Sequence, residues 1–156
     1  MEAAAARAPK VRDLCAADVE AVVRIDAQHT GRPKPAYWKR IVRDFLSGDE
    51  ESERVGLAAE VRGELIGYLL GEVRAFEFGS EACGWIFAIG VDTRELRSSV
   101  ASSLLAEACR RFSRKGIDQV RTMVRRNDVP VLSFFRSNGF TGGSFIQLEL
   151  DLGDER

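Results

Sequence analysis

The stretch Gly84-Trp85-Ile86-Phe87-Ala88-Ile89-Gly90-Val91, with the polar turn and the segment Ser98 to Lys115 behind it, decides the fold. The first part is an unbroken apolar run bounded by turn residues, which reads as a buried strand. From Ser98 to Lys115, Val100, Leu104, Leu105, Ala108 and Phe112 recur at helical spacing, and Gly116 supplies the C-terminal cap. Val120 to Val124 reads as a second strand. A strand, a helix and a strand in this order call for a right-handed crossover between parallel strands. Asn127-Asp128 then precede a short helix, Val129 to Ser137, which Asn138-Gly139 closes before Phe140.

Working outward, Val11 to Leu14 is a short strand, and Asp18 to Gln28 carries Val19, Val22, Val23 and Asp26 at helical spacing. His29-Thr30-Gly31-Arg32-Pro33-Lys34-Pro35 breaks that helix, because glycine and two prolines cannot continue it. Pro35 opens a second helix in which Trp38, Ile41, Val42 and Phe45 share a face. Gly48 to Arg54 is an acidic loop. Val55 to Val61 and Leu65 to Val73 are strands joined in a hairpin at Arg62-Gly63-Glu64. Ala75 to Cys83 is a longer connection, and Phe140 to Leu150 is strand material broken at Gly142-Gly143. Helices alternate with strands around three consecutive strands, which predicts an α/β fold on a mixed sheet.

The chain has 156 residues, enough for one domain with a real core; we expect Met1 to Pro9 to be a loose tail and residues 10–152 to form a single domain. A net charge of -1 offers no footprint for nucleic acid. The basic run Arg110-Arg111 and Arg114-Lys115 reads as a solvated helix face. Three cysteines without metal-ligand spacing, beside a single histidine, argue against zinc and disulfides alike and favour a reducing cytoplasm. No apolar run has the length of a membrane span.

The order and spacing from Gly84 to Phe140 resemble the acyl-CoA-binding half of the GNAT superfamily of N-acetyltransferases. That resemblance implies a central mixed, twisted sheet flanked by helices and splayed between its fourth and fifth strands, with the cofactor in the split. The family places a Gln/Arg-x-x-Gly-x-Gly/Ala turn at the start of the long helix, where unpaired N–H groups and the helix dipole suit a pyrophosphate. Here the turn is Leu96-Arg97-Ser98-Ser99-Val100-Ala101. Only Ala101 keeps the pattern, so hydroxyls of Ser98, Ser99 and Ser102 and the charge of Arg97 would stand in for the lost glycines. The same serines also suit an ordinary helix N-cap. Ile89, Gly90 and Val91 match the strand whose backbone pairs with pantetheine and polarises the thioester.

By the same resemblance, the family's proton-donating tyrosine falls at Phe135, which has no transferable proton. A glutamate base used by some members falls near Trp85. Replacement candidates are His29, Tyr37, Asp26 and Glu81. Asn127 would contact the pantetheine or cofactor backbone, or serve as a helix cap, Phe134 and Phe135 would pack beside the pantetheine or in the core, and Asp128 would cap its helix. Thr30, Arg32, Lys34, Tyr37 and Trp38 lie where the family builds its acceptor site. The expected activity is acetyl transfer from acetyl-CoA to an amine, small-molecule or peptide, by direct attack, with no metal, nucleic acid or membrane involved. Another acyl-CoA would be a variant of this. Dimerisation through the last strands is implied by the family. The alternative is a non-catalytic GNAT-like binding or regulatory module that has lost acyl-CoA binding.

Overall fold

The computed structural model describes residues 8–48, 53–95 and 99–153. The chain divides into two compact units, Met1–Met123 and Val124–Arg156. The first unit runs β1 (Lys10–Asp13), α1 (Val19–Thr30), α2 (Pro35–Leu46), β2 (Arg54–Val61), β3 (Glu64–Arg74), β4 (Cys83–Val91), α3 (Val100–Arg114) and β5 (Val120–Thr122). The five strands form one sheet in the order β1-β2-β3-β4-β5. Neighbours are antiparallel except β4 and β5, which are parallel, as the crossover through α3 requires.

Local chemistry explains the element ends. Asp18 accepts from the Cys15 backbone N–H at 2.8 Å and takes both guanidinium nitrogens of Arg12 at 2.8 Å, which anchors the entry to α1. Gly31 ends α1 at φ 74, the left-handed cap that a side chain resists. Pro35 occupies the first turn of α2, where its missing N–H costs nothing. Arg62 and Gly63 both take positive φ, 53 and 79, which a two-residue hairpin with the native strand twist demands.

The sheet is covered on both faces. Tyr68 and Leu70 of β3 join Val22, Ile25, Trp38 and Val42 of α1 and α2 in one buried cluster. On the other face Val100, Leu104, Leu105, Ala108 and Phe112 of α3 are all buried. Phe112 lies so close to the sheet that a Cβ on Gly84 would meet its ring at 2.7 Å. The register of β3 against β4 shifts between Leu70 and Gly71, leaving Phe87 of β4 as an extra, bulged residue. As a result Phe87 and Ala88 both pack on the α1 and α2 side.

The second unit holds α4 (Val129–Ser137), capped by Asp128, whose carboxylate accepts from Val131 N–H at 3.3 Å. Phe135 is buried, edge-on to Phe134 at 5.1 Å and to Phe140 at 5.0 Å. The strand expected from Phe140 to Leu150 does not form. Among the described residues no ladder pairs with it, and an alternating sequence without a hydrogen-bonding neighbour is not a strand. β5 is also shorter than expected, stopping at Thr122. Among the described residues no helix is long and apolar enough to cross a membrane.

Candidate active site

β4 pairs with β3 along one edge and with β5 along the other. Gly84 donates to the Gln119 carbonyl at 2.8 Å, and the Ile86 carbonyl accepts from the Thr122 hydroxyl at 2.9 Å. Pairing with β5 covers only Gly84 to Ile86. Beyond it, the Phe87 bulge changes which residues face outward. Asp92 N–H donates to the Ile66 carbonyl of β3 at 2.8 Å. Since residues of an antiparallel ladder alternate in direction, Gly90 also turns to β3, and the N–H groups of Ile89 and Val91 turn away from it. They face the edge that β5 has left. Two fixed donors therefore line the split, and no β5 residue pairs with either.

α1 fastens this end of β4. Arg24 donates to the Asp92 carboxylate at 2.7 Å, and Gln28, one helical turn on, accepts from Thr93 N–H at 3.0 Å. Asp92 is 0% exposed and also takes Arg94 N–H, Nε and Nη2 at 3.0, 3.1 and 2.9 Å. These bonds from Arg94, then from Arg24, outweigh burial and hold the Asp92 carboxyl well below the usual carboxylate range. His29 follows, with Nε2 at 2.7 Å from the Val91 carbonyl. A carbonyl only accepts, so Nε2 carries the hydrogen, and in the neutral ring Nδ1 is the nitrogen with the lone pair. The sequence placed His29 in a loop; the structure brings its ring to the open edge of β4.

The turn aligned with the pyrophosphate site is described only in part: Leu96, Arg97 and Ser98 lie outside the described residues. Ser99 sits at φ -79, a backbone that any residue adopts, so no glycine is required there. Its side chain makes no capping hydrogen bond. Among the described residues, the first backbone bond of α3 runs from Ser103 N–H to the Ser99 carbonyl at 2.9 Å. The first-turn N–H groups of Ala101 and Ser102 thus have no acceptor among the described residues, and Val100 is buried.

On the acceptor side, Asp26 is 9% exposed and receives Trp38 Nε1 at 3.0 Å and Lys34 Nζ at 3.1 Å. Thr30 spends its hydroxyl on the Asp26 carbonyl at 3.0 Å. Trp38 is buried, edge-on to Tyr37 at 5.1 Å and to Tyr68 at 5.4 Å, so it belongs to the core beneath the loop. Tyr37 is 39% exposed, and Arg32 is exposed. Glu81 is exposed and precedes β4, so roughly 20 Å of strand, at about 3.3 Å per residue, separates it from Ile89. Trp85 carries the Arg74 guanidinium at 4.7 Å over its ring. Asn127, Phe134 and Phe135 belong to the second unit.

Tyr68 is the residue that the sequence reading passed over. It pairs with Gly90 across the ladder, and a Cβ on Gly90 would meet its ring and hydroxyl at 2.6 to 2.7 Å. The phenol lies flat on the strand between Ile89 and Val91. Only the register of β3 on β4 reveals this, and the bulge at Phe87 sets that register.

Residues 19–140 match the Acetyltransferase (GNAT) family, and the chain belongs to it. The aminoglycoside N-acetyltransferase AAC(6')-Iy in complex with CoA shares the fold at a TM-score of 0.79 and 16% identity, over 95% of this chain and 99% of that one. A transcriptional regulator from Bacillus halodurans aligns at a TM-score of 0.77 and 16% identity, over 92% and 99%. Ribosomal-protein-alanine N-acetyltransferase from Brucella melitensis biovar Abortus does so at 0.73 and 12%, over 92% and 99%. At these identities the likeness is one of fold. No curated protein matches the chain.

Proposed function

We propose that the protein is an acyl-CoA-dependent N-acetyltransferase that moves an acetyl group from acetyl-CoA to a primary amine by direct attack on the thioester. One observation carries the reading: β4 parts from β5 after Ile86 and turns the N–H groups of Ile89 and Val91 into the split. Fixed donors at that place suit a thioester carbonyl, whose oxygen gains negative charge as the amine attacks. The start of α3, where the Ser99 side chain makes no capping hydrogen bond, suits the anionic end of the same ligand. Leu96, Arg97 and Ser98 belong to this proposal by sequence alone.

In this reading His29 is the base. Its Nδ1 is free to take the proton that an ammonium must lose before it can attack, while Nε2–H holds the ring on Val91. The acceptor is a small-molecule amine or the amine of a peptide, and Arg32, Lys34 and the exposed face of Tyr37 border its approach. Holding the amine and thioester together supplies much of the rate. Pairing of the 144–152 stretch with a second copy is part of the reading, supported by its alternating exposed apolar residues.

Calorimetric titration with acetyl-CoA, and with CoA alongside, tests it. We expect micromolar binding, about -8 kcal/mol, followed by thiol release when a panel of amines and peptides is added. No heat at millimolar ligand, with no thermal shift, would overturn the reading in favour of a non-catalytic module.

A further inference from the structure

Tyr68 is 3% exposed, and its hydroxyl makes no hydrogen bond with any described residue. Every fully buried side-chain nitrogen or oxygen among the described residues does have a partner. The hydroxyl is therefore not fully enclosed. It lies over Gly90, between the two outward N–H groups of β4. The ring packs in the core, but its hydroxyl, at the point where those amides would hold an acyl group, has no hydrogen-bond partner among the described residues. Trp38 locks the ring edge-on at 5.4 Å, so its oxygen is fixed in place.

We propose that the Tyr68 hydroxyl donates the proton to the departing thiolate, an inference that rests on acyl-CoA lying beside the C-terminal half of β4. In this step the acceptor nitrogen bonds to the acyl carbon. The carbon–sulfur bond breaks and its electron pair stays on sulfur, which takes the phenolic proton. The phenol oxygen regains a proton from the acylated nitrogen, so one proton passes from nitrogen to sulfur and Tyr68 ends as it began. Burial first, then the nearby Asp26 and Tyr37, hold the phenol pKa above its ordinary value. The hydroxyl is thus protonated at neutral pH, and its two proton transfers are coupled, because a free phenolate is disfavoured. The geometry assigns to β3 a task that Phe135 of α4 cannot perform.

The chain has two tyrosines, so protein labelled with 3-fluorotyrosine gives two fluorine resonances, and Tyr37→Phe assigns them. We expect acetyl-CoA to move the Tyr68 resonance. With the fastest amine from the panel, Tyr68→Phe should lower kcat about 100-fold and leave KM for acetyl-CoA nearly unchanged. An acetyl thioester of an aromatic thiol, whose thiolate leaves without a proton, should narrow that gap. An unmoved Tyr68 resonance, or an unchanged kcat in Tyr68→Phe, overturns the inference while calorimetric binding keeps the enzyme reading standing. Absence of acetyl-CoA binding overturns both. The resonance is read on the unaltered sequence, so poor folding of Tyr68→Phe does not remove the test.

Discussion

The end of β4 and the 144–152 stretch are both rich in apolar residues, yet their surroundings differ sharply. Around Val91 and Asp92, Arg24 and Arg94 bond the Asp92 carboxylate, His29 bonds the Val91 carbonyl and Gln28 takes the Thr93 N–H. In the 144–152 stretch Phe145, Ile146, Leu148, Leu150 and Leu152 stand 49 to 84% exposed, in a segment that forms no ladder among the described residues. Apolar alternation states only a willingness to pair. Finishing a strand takes a neighbour's backbone and, at its end, side chains placed by another element.

The contrast can be broken from its stronger side first. Asp92→Ala removes a fully buried acceptor from two arginines, and should cost about 3 kcal/mol of stability, read by urea unfolding. A loss below about 1 kcal/mol would mean the fastening of α1 to β4 is dispensable. Next in size is Gly84→Ala. Its methyl would sit 2.7 Å from the fully buried Phe112 ring, and about 2 kcal/mol of overpacking is expected in the same assay.

Acid should loosen the carboxylate–arginine clusters, the fastened end of β4 among them. Asp92 and Asp18 both titrate below the ordinary carboxylate range. For Asp18, burial pushes upward but bonds from Arg12 and Cys15 win. A depressed carboxyl stabilises the fold fully above its unfolded pKa of about 4 and loses that contribution as pH falls through its folded value. Melting temperature should therefore be flat from neutral to mildly acidic pH and fall below about pH 4, less steeply in Asp92→Ala. The smallest effect belongs to the other region. Leu148→Ser with Leu150→Ser should shift stability by less than about 0.5 kcal/mol. A larger loss would show that these residues are covered in solution, and sedimentation of both proteins would show whether a second copy covers them.

Much of this was legible beforehand. Periodicity placed α2 and α3, the hairpin at Arg62-Gly63, and the parallel crossover from β4 to β5, because each depends on local spacing and chain connectivity. What stayed hidden depends on register. A bulge leaves no mark in composition, so the side of β4 to which Ile89 and Val91 turn, and the meeting of Tyr68 with Gly90, could not be read from the sequence. Trp38 reads both as part of the apolar face of α2 and, by resemblance, as an acceptor contact; its burial and its N–H on Asp26 show a side chain committed to the interior. Arg24 and Gln28 carried a usable signal: two long polar residues one turn apart beside Val22 and Ile25 point to a polar target next to the core.

The peptide unit between Val91 and Asp92 is hydrogen-bonded at both ends, to His29 through its oxygen and to Ile66 through its nitrogen. A positive charge on the His29 ring strengthens the first bond, polarises the amide and so strengthens the second. The Asp92 amide proton is then a natural indicator dye for that histidine. Its chemical shift in a backbone spectrum reports whether the His29 bond is made, with His29→Ala as the reference, no label on the ring and no substrate in the tube.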